Sequence, residues 1–338
     1  MLRPALQRRR SRGAAAHATP LYPLRPSAAG VVAAAVATPW VLWAAMRAFG
    51  LERGHPFVAL VSFSPYTAAL APLPVVLALL LRRRLVAAVA AVAALTLAAS
   101  VLPRMAAGPQ RAQADARGRT VVVMSVNLQY GRADAATVLQ LVRDHDVDIL
   151  SLQELTPAAV GRLDAAGVAR LLPARSLRMD PGWSGLGLLA RAPLRAVAPS
   201  HKSPEAQLQA VLRPGDGTAL RVVAVHPLPP VSRDNTRHWR AALRSLPGPR
   251  EGGAPRVLLG DFNATLDHHE LRRLLGRGYV DAADAMGDGL RPTWPTTSRR
   301  PQLTIDHVLF GAPIEVRRVS VHDVPGTDHR AVIAELVL

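Results

Sequence analysis

The stretch Arg256-Val-Leu-Leu-Gly-Asp261-Phe-Asn263 is an apolar run that stops abruptly on a carboxylate and an amide. Consecutive Val and Leu residues suit a strand buried on both faces, and the polar residues mark where that strand leaves the core. Taken alone, Asp261 and Asn263 also suit a tight turn after a strand. The decision comes from the rest of the chain, where the same design recurs.

Working outward, Val-Val-Val-Met-Ser-Val ends at Asn127, Asp-Ile-Leu-Ser-Leu-Gln at Glu154 and Arg-Val-Val-Ala-Val at His226. Leu-Thr-Ile runs into Asp306, and the last apolar run follows Gly326-Thr-Asp328-His329. A buried strand that ends in a carboxylate, amide or imidazole puts that group at the rim of its sheet. Six such endings can meet in one cleft. Between them lie predicted strands at 121–126, 147–152, 187–190, 207–212, 219–225, 256–259, 303–310, 315–321 and 331–337. Amphipathic spacing predicts helices at 135–143, 157–171, 233–246 and 268–275. Mixed strands and helices over residues 119–338 make an α/β (α+β) domain with a large core.

The rim chemistry is rich in oxygen and lacks thiolate, since the chain has no cysteine. That excludes disulfides and every cysteine-nucleophile mechanism. It suits a hard divalent cation, Mg²⁺ or Mn²⁺, whose shell carboxylates, water and phosphate complete. A metallophosphatase of the calcineurin type also places Asp and Asn at strand ends. It needs a Gly-Asn-His-Asp segment and more histidine ligands, which this sequence lacks.

Ser125-Val-Asn127, Gln153-Glu154, Ser184-Gly-Leu-Gly-Leu-Leu-Ala-Arg191, Gly260-Asp-Phe-Asn263, Ile305-Asp306 and Thr327-Asp-His329 occur in the order seen in the endonuclease/exonuclease/phosphatase superfamily, which this sequence resembles over about 119–338. The resemblance implies a four-layer α-β-β-α sandwich with the site at one end of two packed sheets, and a metal-dependent phosphoesterase activity. It implies Glu154 as principal metal ligand with Asn127 beside it and Asp328 near the ion. Asp261 would align or deprotonate the attacking water, and Asn263 would donate to the phosphate. His329 would contact the scissile phosphate, oriented by Asp306, and His226 matches the second histidine of deoxyribonuclease-like members. In those members the second histidine pairs with a carboxylate, and no equivalent is evident near Ser184. Thr293-Trp294-Pro295 suits core packing, while the resemblance, in which loops before the penultimate motif often line the substrate cleft, offers Trp294 as a substrate contact. A non-catalytic binding module is the reading of another class, and retention of both the Asp-His and the Asp-Asn elements argues against it. His307 reads as structural, on the opposite side of its strand from Asp306. His268 and His269 read as the start of a helix capped by Asp267, and Arg233, Arg237 and Arg240 as a solvated helix face.

The first third of the chain is different. Three stretches, 26–46, 57–81 and 85–103, contain no Asp, Glu, Lys or Arg. Each reaches the roughly 18–20 residues needed to cross ~30 Å of hydrocarbon, where one central charge costs about 2.5–3.5 kcal/mol. They predict three transmembrane helices ahead of the catalytic domain, with Pro39, Pro65, Pro72 and Pro74 as kinks. Six arginines precede the first span, and Arg82, Arg83 and Arg84 fill the second turn. Positive-inside bias then puts the basic segment 1–25 in the cytoplasm. After three crossings, a polar linker at 104–118 leads to a domain on the outer face of the cell membrane. The formal net charge of +17 fits this division. Residues 1–118 hold 14 arginines against two acids, while 119–338 hold 27 basic against 22 acidic side chains. The excess is thus a topology signal more than a nucleic-acid footprint. A nucleic acid and a phospholipid head group both stand as the phosphate-ester substrate.

Overall fold

The computed structural model describes residues 27–108, 118–198, 206–213, 219–250, 253–297 and 299–338. The basic segment 1–25 and most of the expected linker, 109–117, lie outside the described residues.

Among the described residues, twelve strands form two six-stranded sheets. They are β1 (Thr120–Asn127), β2 (Ile149–Gln153), β3 (Ala174–Arg178), β4 (Leu186–Ala190), β5 (Leu194–Val197), β6 (Gln207–Leu212), β7 (Leu220–Val225), β8 (Arg256–Asp261), β9 (Tyr279–Asp281), β10 (Asp306–Gly311), β11 (Glu315–Asp323) and β12 (Arg330–Val337). One sheet runs β11-β12-β1-β2-β4-β3 and the other β5-β6-β7-β8-β10-β9. Only β1 with β2 and β7 with β8 pair in parallel; the other neighbours are antiparallel.

Strand alternation explains why the apolar runs are continuous. Val121, Val123, Val222, Ala224, Val257, Leu259, Val308 and Phe310 point inward and fill the space between the sheets. Their neighbours point outward. On one side Met124, Val126, Leu150 and Leu152 meet α6 (Ala135–Asp144), α7 (Pro157–Ala165) and α8 (Val168–Leu171). On the other, Val223, Val225, Leu258 and Leu309 meet α9 (Arg233–Ser245) and α10 (His269–Leu275) through Trp239, Leu243, Leu271 and Leu274. Helices therefore cover both outer faces, and the layers run α-β-β-α as expected. The helix expected at 157–171 is two helices, because Gly167 at φ +93° breaks the ladder between α7 and α8. Strands β3, β5 and β9 and the short helix α11 (Ala282–Ala285) were not expected; each is brief and all three strands lie at sheet edges.

The N-terminal helices are α1 (Ala28–Phe49), α2 (Phe57–Val61), α3 (Ser64–Leu70), α4 (Pro72–Leu80) and α5 (Arg84–Val101). Among the described residues, two stretches, Ala28–Phe49 and Arg84–Met105, are long and apolar enough to cross a membrane, with mean hydropathy 1.7 and 2.5. The expected second span is three helices instead. Its apolar part, Ser64–Leu80, is shorter than the other two. Pro65 and Pro72 stand at the starts of α3 and α4, where the missing proline N–H interrupts the ladder.

The start of the expected linker is structured as well. Arg104, in a 3-10 turn at Leu102–Met105, is buried, and Ala107 pairs with Met286. The reason is Asp267, which is fully buried. It caps no helix. Its Oδ1 accepts from Arg47 Nε at 2.6 Å and Arg104 Nη2 at 2.6 Å, and its Oδ2 from Arg104 Nη1 at 2.9 Å. Burial works to raise its pKa, but the Arg104 and Arg47 guanidiniums overcome this and hold it below the ordinary range. Around this pair Val58 enters the domain core, His268 Nε2 meets the Val58 carbonyl at 3.0 Å, and the Glu52 carboxylate accepts from the His269 amide.

Removing one member of a buried ion pair strands the other charge, at a cost of about 3–5 kcal/mol. Asp267→Ala leaves two buried arginines without their carboxylate, so denaturant unfolding of the full chain should show a loss of about that size. A loss below about 1 kcal/mol would mean that the pair does not hold the helices to the domain.

Candidate active site

The strand ends coincide because of register. Asn127 pairs with Gln153 in the parallel β1–β2 ladder, so Glu154 emerges one residue beyond Asn127. Val225 pairs with Gly260 in the parallel β7–β8 ladder, so His226 and Asp261 emerge together. Asp306 lies directly opposite Asp261 in the antiparallel β8–β10 pair. Gly260 is required where these strands end: a Cβ there would lie 2.0 Å from the Val225 carbonyl oxygen. Glu154 and Asn263 hold left-handed backbone conformations, φ +54° and +47°, which are uncommon for residues with a side chain and accumulate at functional sites.

All of the expected residues line one cleft or lie directly behind it. The cleft has a volume of about 590 Å³ and is lined by Glu154, His226, Asp261, Asn263, Asp328 and His329, among others. Its hub is Asp261 Oδ2. Asn127 Nδ2 donates to it at 3.1 Å, His226 Nε2 stands 3.6 Å away and His329 Nε2 3.8 Å away. Asn127 Nδ2 also reaches Glu154 Oε1 at 3.1 Å, while its Oδ1 accepts from the Gln129 amide at 2.9 Å. In this arrangement Asn127 ties two carboxylates together through its Nδ2, and its Oδ1, with one amide donor, keeps a second lone pair. Glu154 Oε2 accepts from the Tyr130 amide at 2.7 Å. Asn263 donates its amide N–H to Asp261 Oδ1 at 2.8 Å and its Nδ2 to the Pro227 carbonyl at 3.0 Å.

His329 Nδ1 lies 3.0 Å from Asp306 Oδ2. Burial disfavours the imidazolium, but the Asp306 and Asp261 carboxylates outweigh it and raise His329 to about 9. Burial and the Asp306 charge both push Asp261 above the ordinary carboxylate range. His226 moves the other way, to about 3, because it is buried and faces the charge of His329. Its Nδ1 has no hydrogen-bond partner among the described residues; the Trp183 ring packs edge-on to the imidazole at 6.0 Å. Asp328 sits at the rim, more than a third exposed, and accepts from Trp294 Nε1 at 2.9 Å. His307 is structural as expected, with Nδ1 2.8 Å from Asp281 Oδ2 and Nε2 2.8 Å from the Ala264 carbonyl.

These residues fit a divalent cation. Glu154, Asp261, Asp306 and Asp328 bring four carboxylates together against one imidazolium, which leaves net negative charge in a mostly buried site. Ligand atoms of Asp261, Asp306 and His329 lie within 4.8 Å of one another. His329 Nδ1 is already engaged with Asp306, however, so that trio reads better as a hydrogen-bonded relay. Glu154 and Asp261 retain free lone pairs toward the cleft. Sequence reasoning missed two parts of the site. Thr327, whose hydroxyl donates to the Asn127 carbonyl at 2.8 Å, lay in a quoted motif without a role. Ala59, Ser62 and Phe63 of the N-terminal helices form one wall, and no local signal in the sequence connects them with the distant motifs.

A model of the endonuclease/exonuclease/phosphatase family matches residues 124–329. Among curated proteins, none matches the chain by sequence. Solved structures of similar fold include a humanized Danio rerio (D. rerio) TDP2 bearing 14 mutations (TM-score 0.52, 19% identity, covering 65% of this chain and 99% of that one). An endonuclease/exonuclease/phosphatase from Beutenbergia cavernae gives TM-score 0.51 at 17% identity, covering 65% and 72%. The 3′ phosphatase NExo from Neisseria gives 0.50 at 18%, covering 64% and 100%.

A cation that binds only the folded state stabilises it by about 2.7 kcal/mol when present at roughly 100 times its Kd. Mg²⁺ or Mn²⁺ should therefore raise the unfolding temperature, and Glu154→Gln should remove most of that rise. Equal shifts in the two proteins would take Glu154 out of the ligand set.

Proposed function

The chain belongs to the endonuclease/exonuclease/phosphatase family, and from that premise we propose that its cleft hydrolyses a phosphate ester by direct, in-line attack of water. The protein is a metal-dependent hydrolase of phosphate ester bonds. The observation that carries the residue assignment is the convergence of Asn127, His226 and His329 on Asp261 Oδ2.

Glu154, with Asp261 and Asp328 nearby, would hold Mg²⁺ or Mn²⁺. The ion supplies neutralisation of phosphoryl charge and a more acidic water. Asp261, whose pKa burial raises, is suited to orient a water and take its proton. His329 stays protonated against Asp306 and donates to the charge that develops on the phosphoryl group. His226, held neutral by burial, would donate one hydrogen bond to the substrate without adding charge. Asn263 lies beside Asp261 on the same turn and would donate to the phosphate there.

Two substrate classes follow. A phosphodiester of nucleic acid is the first, supported by likeness of fold to NExo bound to a product DNA hairpin and to D. rerio TDP2 complexed with a single-strand DNA product. A phospholipid head group is the second, and one observation favours it. No arginine or lysine lines the cleft among the described residues, whereas Ala59, Phe63, Leu228, Pro229, Pro230 and Val231 do. A polyanionic strand needs basic contacts along its backbone; a compact phosphate joined to an apolar group does not.

The N-terminal helices would anchor the chain in a lipid bilayer as a multi-pass unit, with the catalytic domain on the extracytoplasmic side. Three features support this reading. The domain packs against the C-terminal end of α1, the region of α2, and the turn after α5. Gly30, near the start of α1, adjoins Arg83 in the Arg82–Arg84 turn, so the basic turn lies at the other end of the bundle. Arginines collect on the cytoplasmic side of membranes.

The full chain should hydrolyse phosphate esters only when divalent metal is present, and EDTA should abolish turnover. Asp261→Asn and His329→Ala should each lower kcat by roughly 10²–10⁴-fold with unfolding temperature retained. Plasmid DNA, single-stranded oligonucleotide and a phospholipid panel, assayed side by side, separate the two substrate classes. Wild-type turnover in both variants would show the site to be misassigned. For topology, an alkaline phosphatase reporter after Leu338 should be active and the same reporter within the Arg82–Arg84 turn inactive; the reverse pattern would overturn the orientation.

A further inference from the structure

A second groove, of about 780 Å³, lies beside the junction of the N-terminal helices and the domain, and it shares no lining residue with the catalytic cleft. Arg53 and His55 line it from the loop between α1 and α2; Arg233, Arg237, Arg240 and Arg244 line it from α9. The spacing of four, three and four residues keeps these arginines on one helix face. The opposite face of α9 buries Trp239 and Leu243 in the core.

Anionic partners within the protein do not balance this cluster. Buried Glu270 takes Arg244 at 2.6 Å and Arg240 at 3.2 Å, but it also serves Arg273 at 3.1 Å. Asp234 pairs with Arg237 at the exposed rim, where such a pair contributes little. The Glu52 carboxylate is buried against the His269 amide and takes none of these arginines. Arg53 and Arg233 are exposed and make no ion pair among the described residues. His55 Nδ1 is buried without a hydrogen-bond partner among them. A groove with this balance attracts anions, and guanidinium forks match phosphate oxygens.

We propose that this groove binds the phosphate head groups of anionic phospholipid and so fixes the catalytic domain against the bilayer. The inference rests on the membrane reading given above. The groove sits where α1 ends: Gly50 caps that helix and Arg53 follows three residues later. Phe57 lines the groove and is 54% exposed, and Phe49, Leu51 and Leu60 are exposed at the adjoining ends of α1 and α2. Cations beside exposed aromatic and aliphatic side chains suit the head-group layer of a membrane. A nucleic-acid strand in the groove would satisfy the arginines and leave those apolar side chains in water; a bilayer covers both.

The test titrates the full chain in detergent, at low salt, with short-chain phosphatidylglycerol, short-chain phosphatidylcholine, inorganic phosphate and a single-stranded oligonucleotide, with bound ligand counted by native mass spectrometry. Phosphatidylglycerol should bind and phosphatidylcholine should not. In the Arg53→Gln/Arg233→Gln double variant, whose two positions make no ion pair among the described residues, phosphatidylglycerol affinity should fall roughly thirtyfold, at about fivefold per arginine. Unchanged affinity in the variant, or equal binding of phosphatidylcholine, would overturn the proposal. Arginine-dependent binding of the oligonucleotide in place of lipid would make the groove a nucleic-acid surface, and saturation by inorganic phosphate at the same affinity would make it a free-anion site; either result refutes the lipid assignment. The reporter fusions read topology separately, so a chain that spans the membrane without binding phosphatidylglycerol would refute the groove alone.

Discussion

A charge buried in a protein must be matched, and the single oxygen Asp261 Oδ2 is where this molecule meets that requirement most sharply. Asn127, His226 and His329 come from three different strand ends and all approach it within 3.8 Å. None could do so unless β1, β7 and β8 ended, and β12 began, at one level. The register of the two sheets is therefore a condition of the chemistry. A slip of one residue in the β7–β8 ladder would turn every apolar side chain of that strand to the wrong face and carry His226 or Asp261 out of the cleft. Core packing and site geometry thus depend on the same hydrogen-bonded register.

Six residues after Asp261, Asp267 solves a similar problem in another way. It is buried with two arginines from the N-terminal helices, and both its oxygens are used. The loop between these carboxylates carries Asn263, and it is held from two sides. His307 reaches the Ala264 carbonyl from β10, and Trp239 donates to the Phe262 carbonyl from α9. The N-terminal helices are consequently more than a tether. They contribute Val58 to the domain core and Ala59, Ser62 and Phe63 to the wall of the cleft.

Much of this was legible beforehand. Periodicity marked the central strands, which are long, apolar on both faces and bounded by polar residues; 207–212 coincides with β6, and 219–225 and 315–321 differ from β7 and β11 by one and two residues. Edge strands β3 and β5 were missed because they are short and half-exposed, so neither alternation nor continuous apolarity marks them. The candidate site was legible because each strand end announces its polar residue locally. The orientation of Asn127 was not legible: it depends on the Gln129 amide and on Asp261, a partner 134 residues away.

The sequence by itself determined the order of the central strands and their helices, the polar groups that cap the strands and the apolar character of the first helices, because all of these follow from side-chain chemistry within a few residues. Only the tertiary structure decided that Asp267 pairs with Arg47 and Arg104 and caps no helix, that the stretch after α5 packs against the domain, and that the α9 arginines face Arg53 across a groove. Those outcomes depend on which distant charges become neighbours when two apolar faces meet. The cost of burying a charge is settled by partners that local sequence does not name.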